Sequence, residues 1–251
     1  MSASIIAAFA FPAETQVSQR VPKKLLLENG APTASDKRAI QDGIEEIFWV
    51  AALKPTNIGV PAYRDVEREY LEIVVLVLTL RTEAKSTRLI ELIHRSIPYP
   101  LVLVAVQGNL ATLSFAHKRL SQAESGQTVI DSLEITAPFC AERPSPAESA
   151  FLTSLALVVQ PQQNLHTLYQ GWLDRVIALK AADFTGAFIL RETPAQTDNR
   201  RLALAEHERL QREIDGLRAQ TERETQLNRR VDLNLKIRGL EAQLANAFTN
   251  L

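Results

Sequence analysis

Cysteine is nearly absent: Cys140 is the only one in 251 residues. That excludes an intramolecular disulfide and any cysteine-built zinc site, and Cys140 itself reads as a small buried hydrophobe. The four histidines, His94, His117, His166 and His207, are scattered, and no two have the one-turn spacing of a helical zinc motif. An excess of one charge is missing too. Lys and Arg number 28 against 29 for Asp and Glu, a net charge of -1. Neither a global basic field for nucleic acid nor the acidic excess of a disordered chain is present. Long apolar runs are absent: Ile73–Leu80 is apolar but far too short to span a bilayer. The opening MSASIIAAFAFP lacks a basic flank and is interrupted by Pro12 and Glu14. It reads as a short amphipathic helix rather than a signal peptide. No repeat or low-complexity tract is found. The expected setting is the reducing cytoplasm, without membrane contact and without a cofactor or metal.

What is present divides the chain in two. The segment 14–33 holds Arg20, Pro22, Lys23, Lys24 and Pro32 and reads as an extended, turn-rich arm. A helix is expected from Asp36, with Ala39, Ile40, Ile44 and Ile47 at helical spacing. The run FWVAAL (48–53) reads as a buried strand stopped by Lys54-Pro55. Residues 64–81 carry the strongest strand signal, a continuous β-branched run of the kind found in central strands. A helix over 84–96 stops at Pro98, and strands follow at 101–106, 110–118 and 128–136, the first two joined by a turn at Gln107-Gly108-Asn109. After the proline-rich stretch 138–146 the character becomes helical, with helices at 147–159 and 165–182. The expected class is α+β: a mixed sheet of about five strands with flanking helices, then a helical region ending in a long coiled-coil-like helix. The corresponding divisions are 1–137, 138–194 and 195–251.

The terminal stretch 198–247 lacks proline altogether. Ala203, His207, Leu210, Ile214, Leu217 and Thr221 form one 4-3-4 seam. Val231, Leu233, Ile237, Leu240, Leu244 and Ala247 form another, out of register with the first. The break falls in ERETQLNRR (222–230). Two readings follow: a helical hairpin packed on itself, or a straight helix whose polar stretch meets a polar partner. The missing Gly, Pro or Asn-Gly turn signal favours the straight helix.

Several segments together resemble one uncharacterised bacterial family, number 4391 among the domains of unknown function. They are VPKK (21–24), IEEIFWVAALKPTNI (44–58), EIVVLVLTLR (72–81), LIHRSIPYPLVLV (92–104), AHKR (116–119) and QLNRRVDLN (226–234). The resemblance implies a neighbourhood, since genes of that family often stand beside DNA helicase, adenine-specific DNA methyltransferase and restriction genes. It implies a part in antiphage defence and carries no chemistry.

Three functional expectations follow. The first is a non-catalytic accessory subunit of a DNA-targeting antiphage defence or restriction-modification-like system. Its terminal helix would dock a helicase or DNA methyltransferase of the same operon, or a second copy. The expected partner contacts are Leu210, Ile214, Leu217, Ile237, Leu240 and Leu244 along the seams. Gln226, Asn228, Arg229, Arg230 and Asn234 would contribute from the break. Nucleic acid would meet Arg20, Lys23, Lys24 and Lys54, together with Arg95, Lys118 and Arg119, with Tyr99 stacking on bases. The bland alternative is that these cations are simply solvated. The second expectation is a metal-dependent nuclease of the PD-(D/E)XK kind, built on Asp65, Glu67, Glu69 or Glu72. None of these acids has the lysine two residues on that this chemistry needs. No catalytic residue is assigned, and His94 reads as structural or surface. The third is a homodimer joined by the helix alone.

Overall fold

A computed structural model describes residues 2–30, 32–122, 127–191 and 193–248, with the side chains of 29 and 246–248 left out of account. In chain order the elements are α1 Ser2–Ala8, β1 Gln16–Arg20, α2 Lys23–Asn29, α3 Ala34–Gly43, β2 Ile44–Leu53, α4 Pro55–Ile58, β3 Tyr63–Arg64, β4 Glu69–Tyr70 and β5 Ile73–Leu80. Then come α5 Ser86–Ser96, β6 Leu101–Gln107, β7 Leu110–Leu120, β8 Thr128–Ile135, α6 Pro146–Ser154, α7 Leu165–Thr185, α8 Pro194–Arg223 and α9 Leu227–Phe248. The described residues fold as two compact units, Met1–Val176 and Ile177–Leu251, the division falling within α7. No helix among them is long and apolar enough to cross a membrane.

In the first unit the sheet order is β1-β2-β5-β6-β7-β8. Only β5 and β6 pair in parallel, and α5 is the crossover that a parallel pair requires. The continuous apolar run of β5 places it centrally, because both of its faces are covered. Even-numbered side chains of β5, from Val74 to Leu80, point toward the core under α2, α3 and α5. The opposite face carries Phe115, against which Tyr169 and Trp172 of α7 pack, with Phe9 at their edge. The β6–β7 hairpin turns at Gly108, whose φ of 61° is costly for any residue with a Cβ.

Several local expectations are corrected. Only Gln16–Arg20 of the supposed arm is extended; Lys23–Asn29 is helical and buries Leu26. Ile44 and Ile47 lie on β2, not on the preceding helix. Three residues apart, they would face opposite sides of a regular strand, yet both are buried in one core. A register shift between Ile44 and Glu46 resets the alternation, and that bulge mimics helical spacing. The segment 64–81 is not one strand. Tyr63 and Arg64 pair with Tyr70 and Glu69 in a small hairpin, where Asp65 Oδ1 accepts the backbone N–H groups of Glu67 and Arg68.

In the second unit α8 runs for 30 residues from a capping box of Thr193 and Gln196. Ile177 and Leu204 are buried together there. The straight-helix expectation fails at Glu224, which leaves the helical region at ψ 128°. Arg218 bonds Glu241 at 2.8 Å across 23 residues. On a straight helix those residues would stand about 34 Å apart. The chain therefore folds back, and α8 and α9 form a helical hairpin.

Candidate functional site

An apolar concavity of the first unit collects pieces of four separate segments. Arg20 ends β1, Pro22 leads into α2, Trp49 lies on β2, Val74 is the second residue of β5, and Ile97 to Tyr99 follow α5. Together they surround a groove of about 310 Å³. Each of the four segments overlaps one that carries the family resemblance, with Arg20 immediately preceding VPKK. Several polar atoms in the walls are already engaged, while the side chains of Gln19, Arg20 and Tyr99 line the groove from exposed positions. Trp49 Nε1 donates to the Ala51 carbonyl at 2.8 Å and Ser96 Oγ to the Leu92 carbonyl at 2.7 Å. The Val21 and Val74 N–H groups donate to the Ile47 and Pro100 carbonyls, each at 2.9 Å. Glu72 at the rim is paired with Lys54 at 3.2 Å. Arg20 has no hydrogen-bond or ion-pair partner among the described residues, and Leu25 and Tyr99 stand exposed at the lip.

The cations expected to meet nucleic acid lie in several places, with Arg95 and Lys118 together lining a second concavity beside Thr128. Arg20 and Tyr99 share the apolar groove, and Lys54 adjoins it through Glu72. Lys23 turns inward and donates to the Gln41 and Ile44 carbonyls; burial, then repulsion from Arg81 and Arg20, lowers its pKa. Lys24 lies beside Glu28 at 3.7 Å, Arg95 beside Glu91 at 2.7 Å and Arg119 beside Asp131 at 3.7 Å. Lys118 is buried, and its ammonium donates to the His94 and Ile97 carbonyls at the end of α5. It caps that helix from β7, where a cation also complements the helix dipole. Burial pushes its pKa down to about 7.

The acids weighed for a nuclease also fail to converge. Glu67 pairs with Arg68, Glu69 with Arg64 and Glu72 with Lys54. Among the described residues no group of three His, Cys, Asp or Glu side chains is placed to hold a metal ion.

A polar chain beneath α7 was not apparent in the sequence. Gln170 Nε2 donates to Asp174 Oδ1 at 2.6 Å, so Gln170 Oε1 must be the acceptor of its 2.7 Å bond with His117 Nε2. His117 Nδ1 is then unprotonated and accepts from the Tyr70 hydroxyl. His166 stacks on Tyr63 beside them. The partners stand 47 and 53 residues apart in sequence, beyond any spacing signal. His94, expected as structural or surface, is buried, with Nε2 at 2.9 Å from Ser114 Oγ. Burial holds it neutral.

Burial lowers the His117 pKa to about 4. The unfolded chain takes up that proton below about 6.5, the folded chain only near 4, so stability falls as pH drops through this window. The expected loss is about 3 kcal/mol between pH 7 and 4. Urea unfolding of wild type and His117→Gln across that range checks it: the difference between them should shrink as pH falls.

In the second unit the seam residues are spent within the hairpin. Leu210, Ile214, Leu233 and Ile237 are buried, and Leu217, Leu240 and Leu244 are half-buried. Ala247 lies outside the described side chains. Leu210, Ile214 and Ile237, expected as partner contacts, are buried within this unit. Gln226, Asn228, Arg229, Arg230 and Asn234 are exposed. Val231 faces outward rather than into the seam. With Leu227 and Leu235, at 72%, 50% and 60% exposure in chain order, it makes an apolar stripe along one face of α9. Sequence reading missed Leu227 and Leu235, although their spacing of four was visible.

The sequence model of one family, described as Domain of unknown function (DUF4391), matches residues 9–244. No curated protein and no solved structure matches the chain.

Proposed function

We propose, from the premise that this chain belongs to the DUF4391 family, that it is a non-catalytic accessory subunit of a DNA-targeting antiphage defence or restriction-modification-like system. The observation that carries the reading is the outward stripe Leu227, Val231 and Leu235. A helix that closes its own seam and still exposes three large aliphatic side chains in line has surface to bury against another protein. Asn228, Arg229, Arg230 and Asn234 around the stripe supply a polar rim. The gene neighbourhood implied by the resemblance supplies the partner class, a helicase or DNA methyltransferase of the same operon.

The variant Leu227→Glu/Val231→Asp/Leu235→Glu tests it. All three positions are exposed, so unfolding free energy should change by less than about 1 kcal/mol. Co-purification with the adjacent helicase or methyltransferase should fall at least about tenfold, the effect of some 1.4 kcal/mol. A wild-type chain that is monodisperse, monomeric and forms no complex with either product overturns the proposal. A homodimer split by the same variant assigns the stripe to a second copy instead.

A further inference from the structure

The groove belongs to the first unit and the α9 stripe to the second, and the chemistry of the groove is more selective. Its walls are carbon: Pro22, Leu25, Leu26, Val74, Ile97 and the Trp49 ring. The Trp49 indole, the Ser96 hydroxyl and the Val21 and Val74 N–H groups in those walls already have partners within the fold. A nucleobase inserted among those carbon walls would strip much of its hydrogen-bonding edge of water and find free polar side chains only at the exposed rim, Gln19, Arg20 and Tyr99, at a cost of about 1–3 kcal/mol per group left unpaired. An aliphatic or aromatic side chain carries no such cost. At about 310 Å³ the groove is roomy enough for one large side chain and its backbone. Around the lip, Lys54 neutralises Glu72, and Arg20 has no ion-pair partner among the described residues.

We propose that this groove binds a short peptide segment of a partner protein through one large apolar side chain, with an Asp or Glu one or two residues away meeting Arg20. Charge complementarity selects the acidic neighbour, and the apolar walls select carbon over a base. The Tyr99 ring, exposed at the lip, packs over the inserted side chain.

Random dodecapeptides displayed on phage and panned on the full-length chain test this. The expected enrichment is for peptides with Leu, Phe, Met or Trp within two positions of Asp or Glu. Synthetic versions should bind the wild type and weaken about tenfold or more on Arg20→Glu and on Leu25→Asp, as loss of a rim charge pair or an apolar lip would cause. Both residues are exposed, so circular dichroism should show both variants folded. Binding should be unchanged by Val231→Asp, which separates this site from the hairpin stripe. The proposal is overturned if enriched peptides lack the acidic–apolar pairing, or if both groove variants bind them as wild type does. It is equally overturned if a fluorescent single-stranded oligonucleotide binds the wild type and is released by the same two variants.

Discussion

Raising the pH from 7 to 9.5 should stabilise the wild-type chain over Lys118→Met by about 3 kcal/mol, and by about 4 kcal/mol on reaching 10.5. Burial lowers the Lys118 pKa from 10.5 to about 7. Between those values the unfolded chain keeps the proton and the folded chain releases it, so folding gains as pH rises; below 7 both states are charged and the gain is gone. A second contribution does not depend on the sign of this linkage. The ammonium satisfies the His94 and Ile97 carbonyls, which the α5 helix cannot satisfy itself. Methionine keeps the aliphatic stem and orphans both acceptors, at about 1–3 kcal/mol for each. The two contributions separate experimentally, because only the first varies with pH. Denaturant unfolding of both proteins from pH 6.5 to 9.5 gives the answer. Parallel curves would show that two carbonyls hold the ammonium charged throughout and that burial does not govern its titration.

Trp172→Ala should cost about 4 kcal/mol. Trp172 is fully buried, its indole N–H donates to the Leu155 carbonyl at 2.9 Å, and its ring meets Phe9, Phe11, Phe115 and Tyr169. Alanine removes the largest side chain of that core and leaves the carbonyl of Leu155 without its donor. Trp172→Phe should lose less, about 1–2 kcal/mol, because it keeps most of the carbon and forfeits the hydrogen bond. Thermal unfolding monitored by circular dichroism ranks the pair. Equal losses for both would place the whole cost in the hydrogen bond.

The elements that read directly from the sequence are those whose signal is local. The apolar runs of β5 and β6, the turn at Gly108 and the amphipathic α5 each occupy one stretch of chain and need no distant partner to be recognised. The boundary between α3 and β2 misled because a bulge gives Ile44 and Ile47 the spacing of a helix. The fold-back after Arg223 carries no glycine or proline, so turn chemistry could not announce it. The mismatch of the two seams did, and it outweighs the missing turn signal, since a seam that loses register must lose either its partner or its direction. Site residues divide the same way. Arg20 and Tyr99 were picked out for charge and ring, but their sharing a groove depends on β2 and β5 bringing β1 and the turn after α5 together. The path from Tyr70 through His117 to Gln170 depends on α7 crossing β7, which no spacing encodes.

The position of α7 sets a timetable for the growing chain. Tyr169 closes on the Leu101 carbonyl across 68 residues, and Trp172 reaches back to Phe9. Every strand of the main sheet is therefore synthesised before the helix that covers its second face exists. At about 5–20 residues per second, the interval between completing β8 and completing α7 lasts several seconds. During it Phe115 and its neighbours have no lid, and this is when the nascent chain is most prone to stick to others or to recruit a chaperone. The α8–α9 hairpin, whose contacts are close in sequence, closes quickly once made and adds no comparable delay.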